Sequence, residues 1–146
     1  MTSSDPSAAA VRQAVAADVS ALAAFISPFV ESGKLLPRTK KELKDLVKYG
    51  YVAVLDNQIV GFAALEIYSS KLGEIRSLAV AENCQGHGVG TRLVQACIER
   101  AHQEDVLEVM VITSSEVFFR SCGFDFTLPG EKKALFIQTR DANPPT

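Results

Sequence analysis

Three glycines at alternate positions, Gly86, Gly88 and Gly90, lie between an apolar stretch and a segment with helical periodicity. Glycine adopts positive φ without steric cost, and its missing Cβ lets a ligand approach the backbone closely. A helix that begins at such a turn directs its first N–H groups and the positive end of its dipole to the same place. The sequence therefore predicts a strand–turn–helix unit whose turn binds a phosphate or another anion.

Two better-known phosphate motifs do not fit this spacing. A P-loop ends in Gly-Lys-Ser or Gly-Lys-Thr, whereas Gly90 is followed by Thr91 and Arg92. The dinucleotide fingerprint needs Gly-x-Gly-x-x-Gly directly after the first strand of a βαβ unit. Here the third glycine comes one residue too early, and several residues separate the turn from the strand. Neither of these nucleotide-binding classes is indicated.

The patterning of the whole chain predicts an α+β fold. Apolar runs predict strands over residues 11–15, 51–56, 59–68, 73–80, 106–113 and 133–139. Asp18 is placed to cap a first helix, and Thr39 with Glu42 forms the capping box of a second. A third helix follows the glycines, and a short fourth helix covers residues 116–121. We expect antiparallel hairpins first, then strand–helix–strand, then a helix and a closing strand.

The composition is that of an ordinary globular domain. The chain has 146 residues, of which 47% are hydrophobic and 22% charged, so disorder and a disulfide-built scaffold are excluded. A formal net charge of −2 supplies no positive field for a phosphate backbone, which argues against nucleic-acid binding. We expect one domain over residues 10–140, a disordered end over 1–9 and a flexible tail over 141–146.

The three cysteines, Cys84, Cys97 and Cys122, lack the paired spacing of a metal site. We interpret them as small apolar core residues. The sequence shows no signal peptide and no apolar run long enough to span a membrane. These features predict a cytoplasmic protein with no metal and no membrane partner.

The glycine turn and its neighbours resemble one family. The run 85–90, Gln-Gly-His-Gly-Val-Gly, resembles the Gln/Arg-x-x-Gly-x-Gly/Ala loop of the GCN5-related N-acetyltransferase (GNAT) family, which binds the pyrophosphate of acetyl-coenzyme A. Residues 78–80 resemble the fourth strand of that family, and residues 118–124 resemble its aromatic-x-x-x-Gly-Phe signature. The resemblance covers residues 11–139. It implies the GNAT acyl-CoA N-acyltransferase fold, an α/β/α-layered mixed central sheet with helices on both faces.

The resemblance implies acetyl-CoA as co-substrate, held by two parts of the chain. By similarity, the backbone of Leu78, Ala79 and Val80 pairs with the pantetheine arm and polarises the thioester carbonyl. The coenzyme would then lie between the fourth and fifth strands like an additional strand. The residues expected to hold the pyrophosphate through their amides are Gln85, Gly86, His87, Gly88, Val89, Gly90 and Thr91.

An amine must lose a proton before it attacks a thioester, so a base within direct or one-water reach is expected. Glu74 is our candidate, because it lies on the strand that delivers Leu78 and Val80 and shares their parity. Family members also often place a glutamate near this position. The alternative is that Glu74 forms an ion pair with Arg76 or with a neighbouring strand. Arg76 itself has two interpretations, a grip on a substrate carboxylate or a structural ion pair.

The sequence departs from the family at the group that protonates the leaving thiolate. The usual tyrosine, four residues before the Gly-Phe pair, is replaced by Phe119, which cannot donate a proton. Two alternatives follow from this replacement. Either the thiolate leaves without a side-chain acid, or Tyr68, Ser114 or Ser115 serves in place of the tyrosine.

A narrower resemblance concerns the acceptor. Residues 35–39, 63–68 and 73–80 are similar to the stand-alone acetyltransferase domain of amino-acid N-acetyltransferases of the N-acetylglutamate synthase type. This implies a small-molecule amine as substrate, such as a glutamate-like amino acid. The residues expected to bind it are Arg38, Arg76 and Tyr68. The kinase-like domain of classical synthases is absent from the sequence, which leaves glutamate itself open. The alternatives are a protein or peptide N-acetyltransferase and a non-catalytic CoA-binding sensor domain. The family resemblance also allows a homodimer.

Overall fold

A computed structural model describes residues 4–126 and 134–139. The chain forms two compact units, residues 1–114 and residues 115–146. The first unit contains the sheet, three α-helices and the glycine turn. In the second unit, the described residues include one short helix, Glu116–Ser121, at its predicted position.

Five strands form one mixed sheet in the spatial order β1-β2-β3-β4-β5. Their bounds are Ala10–Gln13 (β1), Gly50–Leu55 (β2), Gln58–Ile67 (β3), Leu72–Val80 (β4) and Glu108–Met110 (β5). The first four strands are antiparallel, and β5 runs parallel to β4. Asp56 and Asn57, with φ of 51° and 61°, close the β2–β3 hairpin in the left-handed conformation of a two-residue turn. The predicted hairpins and the strand–helix–strand unit are confirmed.

Helices cover both faces of this sheet, as the family resemblance implies. They are Val19–Glu31 (α1), Lys40–Leu46 (α2) and Val89–Gln103 (α3), all in the first unit. The helix of the second unit, Glu116–Ser121, is called α4. Phe62 of β3 packs in one cluster with Leu22 of α1 and Leu43 of α2. On the other face, Gly61 lies against Leu93 of α3. Alternation along β3 thus separates two layers of helices, and the predicted fold class is confirmed.

The first two helices begin in different ways. At α2 the predicted capping box is present: the Glu42 N–H donates to Thr39 Oγ1 at 3.1 Å, and the Thr39 N–H donates to Glu42 Oε1 at 3.0 Å. Asp18 occupies the predicted N-cap position of α1, but its side chain makes no capping hydrogen bond to that helix. Its carboxylate accepts from the Val15 N–H at 2.8 Å and forms an ion pair with Arg12 at 2.8 Å, which satisfies the preceding turn instead. The hydrogen bond from Arg12 lowers the pKa of Asp18.

Residues 4–9 make defined contacts where the sequence predicts a disordered end. Asp5 caps a short 3-10 turn through its side chain. Arg92 of α3 donates to the Ala9 carbonyl at 2.6 Å, and Ala9 is buried. The sequence does not reveal this contact, because its two partners are 83 residues apart. Residues 1–3 lie outside the described residues.

The strand predicted over residues 106–113 is shorter in the structure. It is limited to Glu108–Met110, because β5 pairs with β4 only at residues 72–74. Leu107 and Ile112, on either side of it, are 80% and 61% exposed. The apolar run therefore forms a three-residue strand with exposed apolar side chains on either side of it.

The last predicted strand, 133–139, is not a strand over its described part. Residues 134–139 have no regular secondary structure. The prediction is wrong there because an apolar run forms a strand only where a neighbouring strand pairs with its backbone groups. Lys133 and the tail predicted over residues 141–146 lie outside the described residues.

Gly61→Ala tests the packing of α3 on the sheet. A Cβ at this position would lie 2.9 Å from Leu93 Cδ1, which is too close for two carbon atoms. We expect the free energy of unfolding, measured by urea denaturation, to fall by about 1–3 kcal/mol. Leu93→Ala alone should cost about 2–5 kcal/mol. The double variant should lose less than the sum, because the new methyl group fills part of the space that Leu93 leaves, and strictly additive losses would contradict this packing.

Candidate active site

One extra residue in β4 shapes the centre of the first unit. Phe62 of β3 pairs with Ala79, but Ala64, two residues further on, pairs with Arg76. The strand β4 therefore contributes one residue more than β3 between these two pairs. Ser77, with φ of 58°, lies in this interval in the left-handed conformation. Such a β-bulge bends the strand, increases its twist and redirects the side chains that follow.

The bulge reverses the two faces of β4. Before it, Glu74 pairs with Glu66 on the face that α1 and α2 cover, whereas after it Val80 pairs with Gly61 on the α3 face. The equal parity of Glu74 and Val80 in the sequence therefore does not bring their side chains together. That expectation is wrong because parity holds only along an uninterrupted ladder. The coenzyme contacts predicted for residues 78–80 are made by the backbone and do not depend on the face.

The edge of β4 that faces β5 is open over its second half. The ladder to β5 covers residues 72–74, and within the described residues no strand pairs with that edge of residues 75–80. Unpaired N–H and C=O groups along a strand edge are places where an extended ligand can add like a further strand. Leu78, Ala79 and Val80, the residues predicted to contact the pantetheine arm, all lie in this stretch.

The glycine turn forms an open backbone cradle at the N-terminus of α3. Gly86 and Gly88 have φ of 80° and 81°, and a Cβ at either position would meet nothing within 4 Å. Gln85 holds the start of the turn by donating from Nε2 to the Val80 carbonyl at 3.1 Å. The first N–H groups of a helix have no partner within the helix, and the space beside Gly86 and Gly88, directly before α3, is open. This arrangement fits a pyrophosphate group.

The seven residues predicted to hold the pyrophosphate are contiguous around this helix start. The structure places Gln85, Gly86, His87 and Gly88 before the helix, and Val89, Gly90 and Thr91 in its first turn. Val89 is buried, so its contribution to the cradle is limited to its backbone. Sequence reasoning missed Arg92, whose guanidinium donates to the carbonyls of Ser7 and Ala9 at 3.3 and 2.6 Å. This contact ties the N-terminal segment to α3, and no pattern in the sequence marks it.

Four side chains at the adjoining ends of β3 and β4 form one hydrogen-bonded network. Glu74 is 7% exposed, and its Oε1 accepts from the Tyr68 hydroxyl at 2.6 Å. The same hydroxyl lies 3.2 Å from Glu66 Oε2, to which Arg76 Nη1 donates at 2.9 Å. The structure thus brings together Glu74, Tyr68 and Arg76 and adds Glu66, which sequence reasoning missed. The pairing of positions 66 and 74 across the β3–β4 hairpin is the signal that could have found it.

The network gives Arg76 and Glu74 different kinds of partner. The Arg76 guanidinium is engaged in an ion pair with Glu66, which favours its structural interpretation over a grip on substrate. Glu74 is held by the neutral hydroxyl of Tyr68. Partial burial and the hydrogen bond to Glu74 raise the pKa of Tyr68 to about 12, so this hydroxyl keeps its proton at neutral pH.

A cavity of about 240 Å³ shares Glu66 with this network, and its other lining residues include Arg38, Glu42, Asp45 and Tyr49. The Arg38 side chain is 11% exposed, and its buried Nε has no hydrogen-bond partner among the described residues. Its ion-pair contact with Glu42 is long, at 3.9 Å between Nη1 and Oε2. A buried N–H without an acceptor is costly, and a ligand carboxylate would satisfy it.

Phe119 of the second unit is buried in an aromatic cluster. Its ring makes edge-to-face contacts with Phe118 and Phe124, at centroid distances of 5.0 and 5.5 Å. Such contacts are typical of a packed core and involve no proton donor. The position at which the family often has a tyrosine is therefore occupied by a structural residue.

The cysteines are mainly core residues, as predicted. Cys84 and Cys97 are buried, and burial raises the pKa of both thiols, that of Cys97 to about 12. Cys122 is half-buried. Within residues 4–126 and 134–139, no three His, Cys, Asp or Glu side chains are grouped so that they could hold a metal ion. In that part of the chain, no helix has both the length and the apolar character needed to cross a membrane.

Comparisons with known proteins point to the same family. Residues 18–124 match the family described as Acetyltransferase (GNAT) family. An uncharacterized N-acetyltransferase of Chlorobaculum tepidum is 34% identical over 114 residues, which cover 78% of this chain and 74% of that protein. The amino-acid acetyltransferase of Mycobacterium tuberculosis is 34% identical over 118 residues, which cover 78% of this chain and 67% of that protein.

A solved structure is similar over the same part of the chain. N-acetylglutamate synthase from Neisseria gonorrhoeae, complexed with coenzyme A and N-acetyl-glutamate, aligns with a TM-score of 0.69 at 28% identity. The alignment covers 77% of this chain but only 27% of the synthase chain. This chain thus spans about a quarter of the length of that larger protein.

The chain belongs to the GNAT family of acetyltransferases. It is an N-acetyltransferase, and its co-substrate is acetyl-CoA. The open edge of β4 and the cradle at Gly86 and Gly88 fit an extended ligand that ends in a pyrophosphate. The residue-level contacts with the coenzyme stay predictions.

Gly88→Glu tests the position of the cradle. The new side chain and its negative charge would enter the space expected for the pyrophosphate, and such like-charge contacts cost several kcal/mol. We expect the affinity for acetyl-CoA, measured by calorimetry, to fall by at least about a hundredfold. The matched control is Gly33→Glu, because Gly33 also has a positive φ of 77° and open space around it but lies outside the turn. Unchanged affinity in a folded Gly88→Glu variant would exclude this turn as the coenzyme site.

Proposed function

We propose that this enzyme acetylates the amino group of a small amino acid, with a glutamate-like compound as the first candidate. The observation that carries the proposal is Arg38, a largely buried guanidinium in a cavity of about 240 Å³, whose Nε has no partner in the described part of the chain. A carboxylate suits a guanidinium because it accepts two parallel hydrogen bonds. The cavity is smaller than the roughly 300–1,000 Å³ of typical ligand pockets, which favours a small acceptor.

Relatives support the same class of substrate. The Mycobacterium tuberculosis relative is named amino-acid acetyltransferase, and the Neisseria gonorrhoeae structure contains N-acetyl-glutamate. In this chain, however, Glu42 and Asp45 also line the cavity. Their charges would repel a second carboxylate on the substrate at short distance. Neutral and basic amino acids therefore stand beside glutamate as candidate acceptors.

Within this proposal each part of the site has one task. Acetyl-CoA supplies the acetyl group as a thioester. The cradle at Gly86 and Gly88 binds the pyrophosphate, and the open backbone of residues 78–80 orients the acyl end and polarises its carbonyl. Arg38 orients the acceptor through its carboxylate. Glu74 takes the proton from the ammonium group of the acceptor, which makes the amine nucleophilic.

The leaving thiolate receives no side-chain acid in this proposal. Phe119 has no hydroxyl, and the hydroxyl of Tyr68 already donates to Glu74. Coenzyme A is a tolerable leaving group as a thiolate. The contacts of Tyr68 thus argue against this hydroxyl as the donor, and Ser114 and Ser115 stay alternatives to departure without a donor.

The proposal is tested by thiol release from acetyl-CoA with a panel of amines that contains common amino acids, polyamines, aminoglycosides and short peptides. We expect turnover with free amino acids and little with amines that lack a carboxylate. Arg38→Gln should raise KM for the amino acid about tenfold or more without changing KM for acetyl-CoA, because a charge-assisted contact is lost. Lys40→Gln, which removes a positive charge at an exposed position two residues away, is the matched control.

Other results would favour the alternatives. Turnover with peptides alone would indicate a protein or peptide acceptor. Coenzyme binding without thiol release from any amine would indicate a sensor domain. An Arg38→Gln enzyme with unchanged KM would show that the substrate carboxylate binds elsewhere.

Glu74→Gln tests the base. We expect slower turnover at neutral pH, by roughly a hundredfold, because the acceptor then stays protonated unless it loses its proton to water. As the pH rises toward the pKa of the acceptor amine, free amine accumulates and the rate should partly recover. Glu108→Gln, on the neighbouring strand β5 and exposed, is the matched control. A Glu74→Gln enzyme with the wild-type rate and pH profile would remove Glu74 from the mechanism.

A further inference from the structure

The Tyr68 hydroxyl lies between two carboxylates that differ in their access to water. Glu74 Oε1 is 2.6 Å from it, and Glu66 Oε2 is 3.2 Å from it. Glu74 is 7% exposed, whereas the Glu66 side chain is 37% exposed and lines the cavity. A hydroxyl has one proton and donates to one acceptor at a time. The shorter distance identifies Glu74 as the current acceptor and Glu66 as the alternative one.

A buried base has to release its proton after each turnover. Under the proposed function, Glu74 gains one proton from every acceptor that is acetylated. Its low exposure leaves little direct contact with water. The Tyr68 hydroxyl connects Glu74 to a more exposed carboxylate, and proton transfer requires heavy-atom distances of about 2.6–3.2 Å, which both contacts satisfy.

We propose that Tyr68 relays this proton from Glu74 to Glu66, an inference that rests on the proposed role of Glu74 as the base. First an N–H bond of the substrate ammonium breaks and an O–H bond forms on Glu74. The Glu74 proton then passes to the Tyr68 oxygen, while the original Tyr68 proton passes to Glu66 Oε2. Glu66 finally releases its proton to water. Tyr68 ends neutral, both carboxylates end ionised, and one proton leaves for each acceptor deprotonated.

Arg76 positions Glu66, the carboxylate that receives the proton in this relay. Its Nη1 donates to the same Glu66 oxygen at 2.9 Å and lies 3.4 Å from the Tyr68 hydroxyl, so it holds that oxygen next to the tyrosine. The charged groups around the hydroxyl are thus Glu66, Glu74 and Arg76, and Glu42 of α2 interacts electrostatically with Arg76. Because the Tyr68 hydroxyl keeps its own proton at neutral pH, it exchanges one proton for another and does not have to ionise.

The test is the turnover of Tyr68→Phe at pH 7 as the buffer concentration is raised. Thiol release from acetyl-CoA is measured with L-glutamate, or with whichever amine of the panel turns over fastest. In dilute buffer we expect kcat to fall roughly tenfold with KM for acetyl-CoA unchanged. Added imidazole should restore much of the rate by accepting the proton from Glu74, whereas the wild-type rate should not respond to it.

Two further variants complete the experiment. Glu66→Gln removes the receiving carboxylate and should show the same loss and the same rescue. The double variant Glu66→Gln/Tyr68→Phe should be no slower than the slower single variant, because both changes interrupt one path. Tyr51→Phe is the matched control, since Tyr51 pairs with Ala63 on the α3 face of the sheet, away from Glu74.

Each contrary result has a definite meaning. A loss in Tyr68→Phe that imidazole does not rescue, or losses that add in the double variant, would show that Tyr68 only positions Glu74. Full activity in Tyr68→Phe together with a slow Glu74→Gln enzyme would overturn the relay and leave the base intact. Wild-type behaviour of Glu74→Gln would overturn both the base and the relay. Should Tyr68→Phe not fold, the response of Glu66→Gln to imidazole decides the question.

Discussion

The bulge in β4 is the constraint on which the rest of the site depends. One additional residue, at Ser77, shifts the register of β4 against β3, so side chains of equal parity lie on opposite faces of the sheet before and after it. Residues 72–74 are paired on both sides, and they include the buried Glu74. The second half, paired only with β3 among the described residues, leaves an open edge that leads to the glycine cradle. Glu74, the proposed base, and residues 78–80, the predicted coenzyme contacts, thus lie on one strand but on opposite sides of the bulge.

The charges around this strand are distributed unequally between two arginines. Arg76 is neutralised by Glu66 and takes part in a closed network. Arg38 makes a long contact with Glu42, and its buried Nε has no acceptor among residues 4–126 and 134–139. A guanidinium already engaged gains little from a ligand carboxylate, because an existing charge-assisted bond would first have to break. This difference makes Arg38 the better candidate for substrate binding, although the sequence offers the two arginines as equals.

Much of the fold follows from local signals. A few neighbouring residues are enough to predict three of its features. These are the capping box at Thr39, the two-residue turn at Asp56 and the glycine turn before α3. The predictions fail where the outcome depends on a partner that the local pattern does not specify. The Asp18 side chain bonds to Arg12 and to the Val15 N–H and not to α1, and the last predicted strand has no ladder over residues 134–139.

The sequence by itself determined the family-specific features: an α+β order of elements, a glycine cradle ahead of a helix, and a glutamate on the strand that leads to it. These depend on backbone conformation and short-range spacing, which neighbouring residues control. Only the tertiary structure decided that Glu74 meets Tyr68, that Arg76 pairs with Glu66 at 2.9 Å, and that the contact of Arg38 with Glu42 is long, at 3.9 Å. Such contacts arise from strand register and from one bulge, and a shift of one residue in register changes every side-chain neighbour. No local pattern in the chain specifies that shift.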